Sequence, residues 1–185
     1  MLLKHKTNNL NKIYKIISKG LPSSIFVILG LNFFKKMVLS KLIHVYCIEK
    51  KKTISSVISI IDFKNYFLIN KKIIVYLILR PFLLLKFFFK LIQASQKNSK
   101  IKINPNYLHL LHLVILKEQF MNISIKKKDV LFNKFYKKIL KNQNAKKIFL
   151  CFDKKNKIAK RYYKRNNFKF YVKKGNFFYY RKTFK

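Results

Sequence analysis

Two short apolar runs, LHLLHLVIL (108–116) and KKIFLCF (146–152), bracket a segment of different period. Each run is continuous and of strand length, as a buried strand requires. Between them, over about 127–140, Leu131, Phe132, Phe135, Tyr136 and Ile139 fall on the i, i+4, i+8 stripe of a helix packed on a sheet. Strands that alternate with helices in this way imply an α/β layer structure.

The rest of the chain extends the pattern. An opening strand (2–5) leads into a helix over about 9–18, ended by Gly20 and followed by Pro22, both ordinary stop signals. A second helix is expected over about 31–42. IHVYCIE and TISSVISIID read as two strands joined in a hairpin by the lysine turn Lys50–Lys52. A further helix over about 157–165 precedes a closing hairpin, FKFYVKKGNFFYY, which turns at Gly175–Asn176. The expected order is β-α-α-β-β-(helical insert)-β-α-β-α-β-β, with the insert near 70–98. At 185 residues the chain is about one domain's worth, and residues 1–185 are read as one domain.

The insert carries IIVYLILRPFLLLKFFFKLI (73–92), long enough to span a bilayer. Arg80, Lys86 and Lys90 count against a span, at roughly 2.5–3.5 kcal/mol for each charge at mid-membrane. On a helix Lys86 and Lys90 share one face and leave Phe87, Phe88 and Leu91 on the other. Two readings stay open: a helix that covers the core, or one that lies on a membrane surface and gives peripheral contact through Ile73–Ile92. The opening MLLKHKTNN lacks the apolar core of a signal peptide, which makes a cytoplasmic location the expectation.

The charge is extreme: 43 basic residues against 5 acidic, a formal +38. That balance ordinarily points to nucleic acid or an anionic surface. Four of the basic residues are arginine (Arg80, Arg161, Arg165, Arg181) and the rest lysine, while glycine and proline number three each. The depleted types have GC-rich codons, and the abundant Lys, Asn, Ile, Phe and Tyr have AT-rich ones. Mutational drift in an AT-rich genome accounts for much of the charge, so nucleic acid is a partner the composition admits without favouring. Aromatics interleaved with lysine, as in RYYKRNNFKFY, would suit an RNA- or ribosome-associated protein, but no RNA-module signature appears. Cys47 and Cys151 lie far apart in strand-like runs and make no metal-binding pattern.

One stretch is more specific. In NKIAKRYYKRNNF (156–168), Asn156, Ala159, Tyr162, Tyr163, Arg165 and Phe168 stand at fixed offsets after a strand. The pattern resembles the signature of the GNAT superfamily of N-acetyltransferases, a strand followed by N-x-x-A-x-x-[FYL]-Y-x-[KR]-x-G-F. Asn167 replaces the glycine, a mild change because Asn tolerates a left-handed helix cap. LPSSIFVILGLNFFKKM and RPFLLLKFFFKL look, more loosely, like GNAT proteins of bacterial surface-polysaccharide loci.

The resemblance implies a mixed, mostly antiparallel GNAT-like sheet with helices on both faces. Strands 108–116 and 147–152 would be parallel neighbours that splay apart to admit acetyl-CoA. It also implies an acyltransferase that moves an acetyl group to a primary amine, on an amino sugar, a small metabolite or a protein N-terminus. By resemblance Ile115 and Leu116 contact the cofactor at the end of the strand, and Asn156 caps its helix and bonds the cofactor arm. Tyr163 would lie near the thioester sulfur, where a phenol can protonate the leaving thiolate. The plainer alternative for the Tyr pair is packing in a core.

Two features depart from the family. Its phosphate loop, Q/R-x-x-G-x-G/A, presents backbone N–H groups at a helix N-terminus. Here KEQFMNISIKKKDV holds no glycine and its register is ambiguous, with Ser124 and Lys126, Lys127 and Lys128 as the candidate phosphate contacts. Either the loop still presents its amides with lysine charge in support, or the site has decayed and the fold persists without turnover. The family's carboxylate base is also missing from the strand, which offers His109 and His112 instead, with His109 as the candidate base. Their i, i+3 spacing sets them on opposite faces unless a bulge intervenes.

Overall fold

In TISSVISIID successive side chains serve two different cores. Val57 and Ile61 pack with the early helices, and Ile58 and Ile60 with the later ones. A strand buried on both faces is the centre of a three-layer structure. The computed structural model describes residues 2–5, 9–50, 53–80, 82 and 107–184. Its strands are β1 (Leu2–His5), β2 (His44–Lys50), β3 (Thr53–Asp62), β4 (Tyr107–Ile115), β5 (Lys147–Asp153), β6 (Lys169–Lys174) and β7 (Phe177–Thr183). They form one sheet in the order β1-β2-β3-β4-β5-β7-β6. All neighbours run antiparallel except β4 and β5. The sheet is mixed and mostly antiparallel, as the resemblance implied.

One face carries α1 (Leu10–Gly20), α2 (Ile25–Ile28), α3 (Leu31–Leu39) and α4 (Tyr66–Ile78). Leu10, Ile13 and Ile17 of α1 and Phe33, Phe34, Met37 and Val38 of α3 supply that core. The other face carries α5 (Ile125–Asn142) and α6 (Lys157–Arg165). From α5, Phe132, Phe135, Tyr136 and Ile139 are buried as the stripe predicted, and Leu131 lies at the margin.

Several boundaries differ from expectation. Gly20 belongs to α1 and is no left-handed stop. It is required by packing, because a Cβ there would sit 2.6 Å from Val114 Cγ1 of β4. The second helix stops at Leu39 rather than Leu42: Lys41 turns left-handed (φ 57°), and the Leu42 amide returns to the Met37 carbonyl. The short α2 was not foreseen. The insert between β3 and β4 starts at Phe63 with a 3₁₀ turn and continues as α4, and its residues 83–98 lie outside the described residues, as do Lys51 and Lys52 of the lysine turn.

Candidate active site

The geometry of the site starts in the parallel pair. β4 and β5 are in register for four residues, from Tyr107↔Lys147 to Leu110↔Leu150. Beyond that, β4 stays with β3 as far as Ile115, and β5 stays with β7 as far as Asp153. The two strands therefore part like a fork. The parting coincides with a bulge: Ile60 pairs with Leu110 and Ser59 with His112, so Leu111 is extra. An added residue bends its strand and raises the local twist, which accounts for β4 leaving its neighbour there.

The bulge also settles the histidines. With Leu111 inserted, His109 and His112 share the face of the sheet that α1 and α2 cover. His112 is 2% exposed, its Nε2 lies 2.6 Å from Ser24 Oγ at the start of α2, and Phe26 meets its ring edge-on. His109 is 7% exposed, edge-on to Phe149, with Nε2 4.0 Å from the Cys151 thiol. Burial lowers His109 to about 4, and burial with the charge of His109 lowers His112 to about 3. Burial also raises the Cys151 thiol to about 11. For His109, the candidate base, burial therefore works against a near-neutral value. At neutral pH both rings are uncharged hydrogen-bonding groups with little basicity, because burial disfavours their charged form.

On the opposite face Tyr163 lies over the diverged end of β5. Its ring packs on Phe152 (centroids 5.5 Å), Phe168 (5.2 Å) and Tyr162 (5.1 Å), and the residue is 8% exposed. Burial first, then Tyr162 and Cys151, pushes its phenol well above the usual range. It is protonated at every physiological pH, the state a proton donor needs, and is a weaker acid than a free tyrosine. Tyr162 sits half-buried beside it, edge-on to Phe132 and with its hydroxyl 3.4 Å from that of Tyr136.

The signature offsets have local physical causes. Asn156 caps α6 by accepting the Ala159 amide at 2.9 Å. At the other end Asn167 is left-handed (φ 60°), its amide reaches the Lys164 carbonyl, and the Phe168 amide reaches that of Tyr163. This is a Schellman closure, and the Phe168–Tyr163 ring contact is its apolar clasp. Arg165 binds Asp129 of α5 through Nε and Nη2, and Asn166 donates to the same carboxylate at 2.9 Å. Asn166 links on to Asn133, and Lys182 of β7 donates to both Asn133 and the Asn166 carbonyl. The motif therefore locks α6 to α5 and the last strand. Asp129 and Asn133 escaped the sequence reading because their partners are distant in the chain.

At the open end of the fork, Leu116 follows Ile115 and donates its amide to the Ser55 carbonyl. A 3₁₀ turn (Lys117–Phe120) then drops Phe120 into the core against Phe132. Ser124 is the N-cap of α5, and its Oγ accepts the Lys127 amide at 3.4 Å. The register left open by the sequence is therefore set by Ser124, with Lys126, Lys127 and Lys128 in the first helical turn. The Ile125 and Lys126 amides have no acceptor among the described residues, as expected for the start of a helix. Within 116–128 no residue has positive φ. The loop thus needs no glycine for its backbone.

The sequence matches no protein-family model and no curated protein. Among solved structures the chain is similar to the N-acetyltransferase PseH of Campylobacter jejuni in complex with acetyl coenzyme A, at 14% identity and TM-score 0.56 over 98% of this chain and 99% of that one. It is likewise similar to the PaiA N-acetyltransferase of Thermoplasma acidophilum in complex with coenzyme A, at 14% identity and TM-score 0.56 over the full length of both. Spermidine N-acetyltransferase SpeG of Vibrio cholerae gives 10% identity and TM-score 0.60 over 99% of this chain and 95% of that one. The chain has the GNAT fold.

Proposed function

We propose that the chain is an acetyl-CoA-dependent N-acetyltransferase acting on a primary amine. The observation that carries the reading is the fork between β4 and β5. It has at its open end a helix N-terminus whose first two amides find no acceptor among the described residues, and a buried, protonated tyrosine over the diverged strand. The similar structures of PseH and PaiA hold acetyl-CoA and CoA respectively, which supports the same co-substrate here.

Acetyl-CoA supplies an activated acyl thioester and three phosphate groups. In this reading the Ile125 and Lys126 amides face a phosphate and Lys126–Lys128 add charge-assisted contacts. Ile115, beyond the last β4–β5 pair, would bond the pantetheine amides, while Leu116, whose amide goes to the Ser55 carbonyl and whose carbonyl accepts from the Gln119 amide, would line the cleft beside it. Asn156 already gives its side-chain oxygen to the α6 cap, so its NH₂ group is what remains for the cofactor arm. Attack of the amine nitrogen on the acyl carbon forms the amide bond and breaks the C–S bond. The departing thiolate takes its proton from Tyr163, which regains one from solvent, and the proton lost by the amine leaves to solvent. His109 and His112, neutral and buried, are positioned to accept hydrogen bonds rather than to hold that proton.

Titrating acetyl-CoA by calorimetry at low and high salt tests the reading, with wild type and a Lys126→Ala/Lys127→Ala/Lys128→Ala variant. We expect binding that weakens with salt and falls by about tenfold or more in the variant, each effective lysine–phosphate contact contributing roughly 1.5–3 kcal/mol. Absence of binding at millimolar cofactor would make the chain a decayed GNAT fold.

A further inference from the structure

Helix α4 carries apolar residues on two opposite sides, with Asn70, Lys71 and Lys72 as its polar residues. Ile69, Ile73 and Leu77 enter the core shared with α1 and α3. On the opposite side Leu68, Ile74, Val75, Ile78 and Leu79 are exposed, Leu79 at 74%, and Phe82 just beyond is 85% exposed. A surface helix needs one apolar stripe, and a second one marks a surface that meets something other than water. Beside it, a groove of about 470 Å³ runs between α3 and α4, floored by Phe33, Met37 and Tyr76 and edged by Lys36, Lys71 and Lys72. Arg80 stacks on Tyr76 at the end of the groove, 4.8 Å from the ring centre.

Charge decides what kind of partner fits. None of the five acidic residues of the chain (Glu49, Asp62, Glu118, Asp129, Asp153) lies on α3 or α4. The face is therefore apolar and cationic, and a second copy of this chain would bring like charge against it. From Phe82 the sequence runs on as LLLKFFFKLI (83–92), again apolar with lysines four apart. No helix among the described residues is long and apolar enough to cross a membrane. A bilayer with anionic headgroups offers apolar depth beneath a negative layer across an area as wide as the helix pair. We propose that the α3–α4 face docks the protein on an anionic membrane surface. Ile74, Ile78, Leu79 and Phe82 enter the acyl boundary, while Lys36, Lys71, Lys72 and Arg80 meet lipid phosphate, the lysines reaching past their apolar stems.

Co-sedimentation of the full chain with vesicles tests the proposal and does not depend on acetyl transfer. Vesicles of phosphatidylcholine alone would be compared with vesicles containing about one-third phosphatidylglycerol, at low and high salt. We expect binding to the anionic vesicles that weakens with salt. Lys71→Glu/Lys72→Glu should lower the partition coefficient by about fivefold or more per residue, and Ile78→Ser/Leu79→Ser by at least about tenfold. Lys71, Ile78 and Leu79 are exposed and Lys72 lies half-buried at the rim of the groove, none of them in the core, so circular dichroism and acetyl-CoA titration should match wild type. Absence of binding to anionic vesicles overturns the proposal, as does binding that both variants leave unchanged, which would place the contact elsewhere in the chain. A dimer in solution that either variant dissociates would also overturn it, by making the face an interface between copies.

Discussion

The two buried histidines should make the fold unusually sensitive to mild acid. Both rings have ordinary values near 6.5 when the chain is unfolded, and burial holds His109 at about 4 and His112 at about 3 in the folded chain. Between about pH 6.5 and 4.5 the unfolded chain therefore binds one proton at each ring that the folded chain does not. Their stabilising contribution is complete above 6.5 and drains away as the pH falls toward the folded values. At about 1.4 kcal/mol per proton and pH unit, two rings over two pH units give a loss of about 5 kcal/mol. That is a large part of the stability of an ordinary domain. Asp129 adds little within this window. Burial pushes its carboxyl up, but the hydrogen bonds from Arg165 and Asn166 and the charge of Arg165 outweigh that and hold it below the usual range. Its contribution is lost only at lower pH. Urea unfolding at about pH 7, 5.5 and 4.5, on wild type and on His109→Gln/His112→Gln, measures the slope directly. Wild type should lose most of its stability while the variant, with no ring to titrate, stays nearly flat. Parallel losses in the two proteins would show that the histidines are not buried neutral, and the account of the β4 bulge would fall with them.

Three further outcomes are expected. Tyr163→Phe keeps the packing against Phe152 and Phe168 and removes the proton donor, so kcat should fall while acetyl-CoA affinity barely moves; an unaltered rate would return Tyr163 to a purely packing role. Gly20→Ala should cost about 1–3 kcal/mol in urea unfolding by driving a Cβ into Val114, and adding Val114→Ala should recover part of that loss, whereas additive losses would refute the contact. Asn167→Ala should lower stability by about 1 kcal/mol while Asn167→Gly stays near wild type, since the position is left-handed; equal midpoints for the two variants would argue against that conformation.

What the sequence could reveal was what neighbouring residues determine. The α6 offsets were legible because each has a cause within one or two turns: the Asn156 cap, the small Ala159 and the Asn167–Phe168 closure. The β4–β5 pairing followed from resemblance, and the stripe on α5 from its period. Features that depend on contact across the fold were not legible. Gly20 read as a helix stop because nothing nearby in the chain points to Val114. The bulge at Leu111 breaks no apolar pattern, since the extra residue is itself apolar, yet it moves His112 to the face that bears His109 and meets Ser24. The register of the loop before α5 was ambiguous because lysines fill it. Burial of Phe120 and capping by Ser124 fix that register, and neither is a periodic signal.

The scarcity of glycine bears on the site through the same physics. Three helices end with a non-glycine residue in the left-handed region: Lys41 after α3, Asn144 after α5 and Asn167 after α6. Each is followed by an amide that returns to a carbonyl five residues back, Leu42 to Met37, Ala145 to Leu140 and Phe168 to Tyr163. Such a conformation costs an L-residue roughly 1–2 kcal/mol, least for Asn, and the chain accepts that cost where helix closure demands it. Around the start of α5 it accepts no such cost, because residues 116–128 keep to negative φ. The lack of the glycines that the resemblance leads one to expect here has therefore not strained this backbone. What the replacement changes is the side-chain layer: Met121 is exposed, Ser124 spends its hydroxyl on the helix cap, and Lys126 and Lys127 project from the first turn. In the proposed complex, close approach of a phosphate to the Ile125 and Lys126 amides depends on where those lysines lie, and each can either crowd the ligand or pair with it. Affinity at this site should consequently track lysine charge and ionic strength, where a glycine loop would rely on its backbone amides.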